Sequence, residues 1–274
     1  MLEIPESLTL AKQINQKLRG RKIVDVEAAH TKHSFAWYTG EPDFYEKVMK
    51  NSVIGESSGI GSMLEISLGK YSFVVGDGTN LRYFQPDEKL PERYQTRLTL
   101  DDGSSLVCTV QMYGSMFLIK PEEYDNPYYL AAKEKPLPGT EDFDYEYFRE
   151  LKKEISGTMS AKAFLATQQR IPGLGNGVLQ DILLKAGLHP RKKIGTLTES
   201  RWKQLYETVT GTLAQMTERG GRDTERDLYG EKGKYAVMLS KRTVGEPCPY
   251  CGNIIQKASY LGGTVYFCPS CQEL

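Results

Sequence analysis

Four cysteines near the end of the chain offer the clearest chemistry. Cys248 and Cys251, then Cys268 and Cys271, form two Cys-x2-Cys pairs separated by residues 252–267. Each pair places two thiolates on one tight turn, and two such pairs can close a tetrahedron around a zinc ion. Pro247 and Pro249 stiffen the first turn, Gly252 follows it, and Pro269 sits inside the second. The residues between read as two strands, 254–260 and 264–267, joined by Leu261-Gly262-Gly263. The pattern predicts a zinc ribbon with one structural zinc, a staple for a terminus too small to build its own core. Whether the hairpin tip also touches a partner does not follow from the cysteines. Cys108, within Ser105-Leu106-Val107-Cys108-Thr109-Val110, reads as a buried strand residue.

A second chemical feature is the run Arg170-Ile171-Pro172-Gly173-Leu174-Gly175-Asn176-Gly177-Val178. A helix ends, the backbone turns, and a new helix begins near Gly177. Glycines there allow backbone N–H groups to approach a phosphate, and a helix N-terminus is electropositive. The same run also fits a helical turn with no ligand. Downstream, Lys185–Lys193 gathers Lys185, His189, Arg191, Lys192 and Lys193 without an acid, either a basic patch or a solvated helix end. At the other terminus, Glu3 and Glu6 precede an apolar helical stretch. Each can cap the positive end of that helix. His30 and His33 are three apart but have no further ligand types beside them, so a surface loop is the expectation.

These residues need elements to hold them. Ser7–Leu18 has apolar side chains at helical spacing, stopped by Gly20. From 22 to 120 the signals become short strands: 23–26, 63–68, 71–75, 81–84, 97–100, 106–110 and 116–119. Turn sequences such as Gly76-Asp77-Gly78 and Asp101-Asp102-Gly103 separate them. An antiparallel sandwich with the first helix packed on it is the expected architecture. Pro121, Pro127, Pro136 and Pro138 mark a linker that includes Tyr128-Tyr129. Helices are expected over 145–155, 161–167, 178–186 and 199–216, with Phe143, Tyr145, Tyr147 and Phe148 as helix packing. The fold class is thus α+β multidomain, divided as residues 1–134, 135–243 and 244–274.

Lysine plus arginine equals aspartate plus glutamate at 35 each, which argues against coating nucleic acid by bulk attraction. No apolar run approaches the roughly 20 residues needed to cross a bilayer. The acidic start Met1-Leu2-Glu3-Ile4-Pro5-Glu6 is unlike a secretory leader. A monomer in the cytoplasm, with no membrane partner, is expected.

Taken together, the glycine-rich turn, the Met-Leu-Glu-Ile-Pro-Glu start, Gly245-Glu246-Pro247-Cys248 and the ending Cys268-Pro269-Ser270-Cys271-Gln272 resemble the formamidopyrimidine-DNA glycosylase / endonuclease VIII family over the full chain. The resemblance implies an N-terminal β-sandwich, a helix–two-turn–helix domain with a zinc ribbon, and damaged double-stranded DNA in the cleft between them. It assigns nucleic-acid binding to Lys162, Gly173, Gly175, Asn176 and Gly177, and acid–base work to Glu3 with Glu6 beside it.

The resemblance also exposes departures. Family enzymes attack the sugar with an N-terminal proline amine, whereas Leu2 stands at position 2 here. If Met1 is retained, its amine lies one residue further out, about 3.8 Å away. The family's early-sheet lysine has no counterpart, since none lies between Lys50 and Lys70. Gly263 takes the place of the finger arginine. Asp77, Gln111 and Tyr113 take the places of the methionine, arginine and phenylalanine that fill the gap left by a flipped base. Three readings follow. One is a glycosylase in which Glu3 activates water. Another is a non-catalytic binder of DNA, RNA or a ribonucleoprotein. The last is a zinc-dependent protein adaptor.

Overall fold

The computed structural model describes residues 2–76 and 78–274; Met1 and Asp77, and with them the terminal amine and one gap-filling position, lie outside the described residues. The first helix, α1 (Ile4–Lys17), starts with Pro5 in its first turn, where the missing N–H costs nothing. Beyond Leu18, Gly20 turns the chain at φ +87°. The strands are β1 (Ile23–Ala28), β2 (Ala36–Tyr38), β3 (Ser57–Ile60), β4 (Met63–Leu68), β5 (Tyr71–Gly76), β6 (Thr79–Phe84), β7 (Thr96–Leu100), β8 (Ser105–Val110) and β9 (Gly114–Ile119), with helix α2 (Pro42–Met49) between β2 and β3.

They form two facing sheets, ordered β1-β7-β8-β6 and β2-β9-β5-β4-β3. On β7 the alternation is clean, with Thr96, Leu98 and Leu100 buried. The core between the sheets includes Ile23, Leu64, Phe73, Val75, Leu81, Leu106, Met116 and Leu118, with Cys108 buried among them on β8.

Three elements went unread in the sequence. β3 is Ser-Ser-Gly-Ile, without an apolar pattern, and exists because α1 lies directly on it. A Cβ on Gly59 would come within 2.7 Å of the backbone at Ser7 and Leu8. β2 pairs parallel to β9, the one departure among the pairings from an antiparallel sandwich. α2 buries Tyr45 and Met49 against the sheets.

Tyr128-Tyr129 is not linker. These residues open α3 (Pro127–Glu134), whose N-cap Asn126 accepts the N–H groups of both tyrosines. Pro127, read as a linker signal, is a first-turn proline. α3 covers the outer face of β5 and β9 through Tyr129 and Ala132, so β5 is buried on both sides.

The second half holds α4 (Tyr145–Glu150), α5 (Ala161–Ala166), α6 (Asn176–Lys185) and α7 (Glu199–Glu218) around Phe148, Phe164, Val178, Ile182, Trp202 and Leu205. Phe143, Tyr145 and Phe148 pack with Tyr206, and Tyr147 with Phe143, as the aromatic series implied. Ile4 belongs to this helical core while Leu10 and Ile14 of the same helix belong to the sandwich core. α1 is therefore shared between the two.

The ribbon strands are β10 (Gln256–Tyr260) and β11 (Gly263–Phe267). Leu261 and Gly262 both have positive φ, at +46° and +72°, the geometry of a two-residue hairpin turn whose twist matches the strands.

Candidate functional site

The N-terminal segment, the turn between β3 and β4, and the glycine-rich turn before α6 converge. Ser7 donates to the Gly61 carbonyl (2.7 Å) and the Ile4 N–H to the Gly173 carbonyl (3.2 Å). Gly173, at φ +81°, leaves no room for a side chain because its Cβ would fall on the Gly61 backbone.

Glu3 sits at the centre, 3% exposed. Its Oε1 accepts the Gly177 N–H at 2.8 Å and its Oε2 the Val178 N–H at 2.7 Å. Glu3 thus caps the N-terminus of α6, a helix distant in sequence. Glu6 serves α1, accepting the Glu3 N–H at 3.3 Å in the capping-box manner.

Arg222, also 3% exposed, bridges the two acids. Its Nε and Nη2 reach the two oxygens of Glu6 at 2.9 and 2.8 Å, and its Nη1 stands 3.5 Å from Glu3 Oε2. The glycines make this possible. A Cβ on Gly177 would fall on the Arg222 guanidinium, and one on Gly175 would stand 2.6 Å from Glu3 Oε1. Burial lifts the Glu3 carboxyl above its usual range, while Arg222 and the two helix N–H groups pull it back. Burial also opposes the Arg222 charge, but the two carboxylates more than offset it and hold the guanidinium above its usual range.

This arrangement bears on the expected phosphate contact. The N–H groups at Gly177 and Val178 are spent on Glu3, so they are not offered to a phosphate. Gly173, Gly175 and Gly177 serve close internal packing against Gly61, Glu3 and Arg222. Sequence reasoning passed over Arg222 because an arginine in a polar loop carries no sign that it will be buried.

Asn176 and Lys162 face the ribbon instead. Lys162 Nζ donates to the Tyr260 carbonyl at 2.7 Å, and Asn176 Nδ2 to the Thr264 carbonyl at 3.0 Å. Burial pulls the Lys162 ammonium below its usual range. The place where a side chain on Gly263 would start is 3.4 Å from Lys162 Nζ and 3.8 Å from Asn176 Nδ2. Gln180 adds a further tie, accepting the Tyr266 N–H at 3.0 Å.

The four cysteine sulfurs lie within 4.8 Å of one another and form, among the described residues, the sole cluster of three or more metal-type side chains. Four thiolates at this spacing fit one tetrahedral zinc with no open position, which makes it structural. The ribbon docks on α6 through Leu184, Leu239, Ile255 and the cysteines themselves. Part of the Lys185–Lys193 segment is consumed there: His189 packs edge-on to Phe267, and Arg191 donates to the Ser259 carbonyl. His30 stacks on Tyr94, and His33 lies by the Gln111 carbonyl.

Between the sandwich and the glycine-rich turn opens a cavity of about 280 Å³, reached by Leu2, Glu3, Trp37, Ser62, Tyr128 and Gln169 among others. Among the described residues, Glu3 is the only carboxylate in its wall, and no lysine or arginine lines it.

Comparison with known proteins bears on this geometry. The family described as the zinc finger found in FPG and IleRS matches residues 245–274. Over its whole length the chain is 29% identical to formamidopyrimidine-DNA glycosylase of Lactococcus lactis subsp. lactis, covering 100% of both, and 27% identical to that of Streptococcus pneumoniae strain R6, covering 100% of this chain and 99% of the relative. Among solved structures, the complex between Lactococcus lactis Fpg and DNA containing an abasic site superposes with a TM-score of 0.84 at 26% identity, over 99% of this chain and 100% of that one. The same protein with N7-benzyl-Fapy-dG DNA gives 0.85, again at 26% identity and the same coverage.

Proposed function

We propose, from the premise that this chain belongs to the formamidopyrimidine-DNA glycosylase family, that it recognises damaged double-stranded DNA in the cleft beside Glu3 and acts in DNA repair. The carrying observation is that the N-terminal segment and the zinc ribbon both bond to the turn at Asn176 and Gly177, in a chain whose structural relatives are complexes with lesion-bearing DNA. Lys162 and Asn176, flanking the space beside Gly263, are the groups suited to a phosphate oxygen, one as a cation and one as a donor. The fully coordinated zinc supplies no chemistry and holds the hairpin against them.

The chemistry proposed for the cleft differs from attack by a proline amine. Among the described residues its wall offers no lysine, and Glu3 is the one carboxylate present. A carboxyl lifted by burial keeps its proton to higher pH than a free one, which suits an acid assisting departure of a base or opening of a sugar. The same carboxyl also organises α6, so any catalytic duty is shared with a structural one.

The test uses purified full-length protein whose N-terminal residue has been established by mass. It is assayed on undamaged, abasic, oxidised-purine and oxidised-pyrimidine duplexes. Tighter binding to at least one damaged duplex is expected, with no borohydride-trapped adduct at the N-terminus. Equal affinity for all four would sink the damage-recognition reading, and a robust trapped adduct would restore amine chemistry. Loss of base release in Glu3→Gln, with DNA binding retained, would place Glu3 in the reaction.

A further inference from the structure

Between α7 and the ribbon the chain leaves the helical half, reaches the sandwich around one residue and returns. We propose that this segment, residues 222–235, is a latch: it ties the helical half to the sandwich beside Glu6, and it lets go of the sandwich as one unit. Its bearing on DNA rests on the nucleic-acid reading above. The ends of the segment are fixed. Arg222 is held by Glu6 and Glu3, Tyr235 packs in the helical core, and the Asp223 N–H donates to the Tyr235 carbonyl at 2.8 Å.

The middle belongs to the other core. Leu228 is fully buried in the sandwich, and among the described residues every other buried member of that core lies before residue 119. Its carbonyl accepts the Tyr83 N–H at 2.8 Å on β6, the last strand of its sheet. Gln13 of α1 grips the same point twice. Its Oε1 accepts the Leu228 N–H at 3.0 Å, and its Nε2 donates to Asp227 Oδ2 at 2.8 Å.

A permanent joint would be packed along its length. Here two cavities, of about 220 and 310 Å³, lie between the segment and the sandwich. Glu225 and Arg226 line both, and the sandwich contributes Thr79, Asn80, Thr109 and Gln111. These walls are polar, so release exposes little apolar surface beyond one leucine. Within itself the segment is bonded. Arg226 pairs antiparallel with Lys232, the Asp227 N–H donates to the Glu231 carbonyl at 2.9 Å, and Asp227 Oδ1 accepts the Tyr229 and Glu231 N–H groups. None of these bonds uses the sandwich, so the segment keeps its shape when it lets go. A tie of one side chain and the bonds at Tyr83 and Gln13 opens more often than either core unfolds.

Amide hydrogen exchange, followed by NMR on the full-length protein, tests the latch. The Tyr83 N–H is bonded across the joint and should exchange about tenfold or more faster than the amides of the central strand β5. The Asp227 N–H, bonded inside the segment, should stay protected. Gln13→Ala removes two bonds of the joint without touching Tyr83, and should speed Tyr83 exchange about tenfold or more while β5 is unchanged. Leu228→Ala should act in the same direction; if it does not fold, Gln13→Ala decides alone. Exchange at Tyr83 no faster than at β5, or unaltered by Gln13→Ala, overturns the latch. Protection lost at Asp227 together with Tyr83 overturns release as one unit. A duplex with an abasic site should leave the Gln13→Ala protein about threefold or more faster than the unmodified one, since changes at an interface act mainly on release. Unchanged release overturns the latch's bearing on DNA. Failure to bind any duplex at low salt overturns the nucleic-acid reading instead, and the latch then stands or falls on Tyr83.

Discussion

Arg222 shows how one side chain can reassign its neighbours. Two buried carboxylates and one buried guanidinium form a set in which each charge is acceptable only because the others are present. Removing the cation leaves two acids with too little compensation, and breaking a buried pair from one side costs about 3–5 kcal/mol. Arg222→Met should destabilise the protein by that order in urea unfolding, and the loss should depend on pH. The folded-state value of Glu3 lies above its ordinary 4.5, so its protonation favours the folded chain. That contribution is complete below about pH 4.5 and is lost as pH rises through the folded value. The variant should therefore lose less stability at pH 5 than at pH 8. A loss independent of pH would mean that Glu3 does not change protonation in this range.

Among the elements, the ribbon and α6 depend on each other. The hairpin has few apolar residues of its own: Val265 is buried on β11, while β10 is largely exposed. Its position rests on zinc, on Leu184 and Leu239, and on the polar ties from Lys162, Asn176 and Gln180. Stripping zinc with a chelator should unfold the hairpin and release Lys162 and Asn176. Because structural zinc binding is itself folding free energy, a clear fall in Tm and a loss of DNA affinity should appear together and return together when zinc is restored. Affinity that survives chelation would show that the hairpin does not support the DNA site. A glycine at position 263 fits this close contact, since a long side chain there would start 3.4 Å from Lys162 Nζ.

For the whole molecule, zero formal net charge and a lysine, Lys162, beside Gly263 set the expected salt response. The slope of log affinity against log salt is about −0.9 per phosphate neutralised on duplex DNA. With Lys162 as the one cation placed at the proposed phosphate position, a shallow slope is expected, between about −1 and −3. A slope near −6 in a binding titration would show that a larger basic surface takes part. Recognition would then rest more on shape and base contact than on bulk attraction. The sharing of α1 between the two cores also suits a cleft whose walls must hold their spacing.

Much of this protein was legible in its residues. The ribbon followed from cysteine spacing because metal geometry is local, and four thiolates on two turns have few other uses. Most strands and helices followed from periodicity, which needs only a window of neighbours. Four elements did not follow, α2 among them. β3 is made by a glycine pressed on α1, β2 by an edge pairing with β9, and α3 by a proline that begins a helix where it was read as linker. The sequence also pointed to Glu3, Glu6, Lys162 and the Asn176 turn, but not to their partners. That Glu3 caps α6, that Arg222 lies across Gly177, and that Lys162 and Asn176 hold the hairpin were decided by tertiary structure alone. Each joins residues far apart in the chain, and a carboxylate, a guanidinium or an amide carries no mark in sequence of which distant group will share its burial.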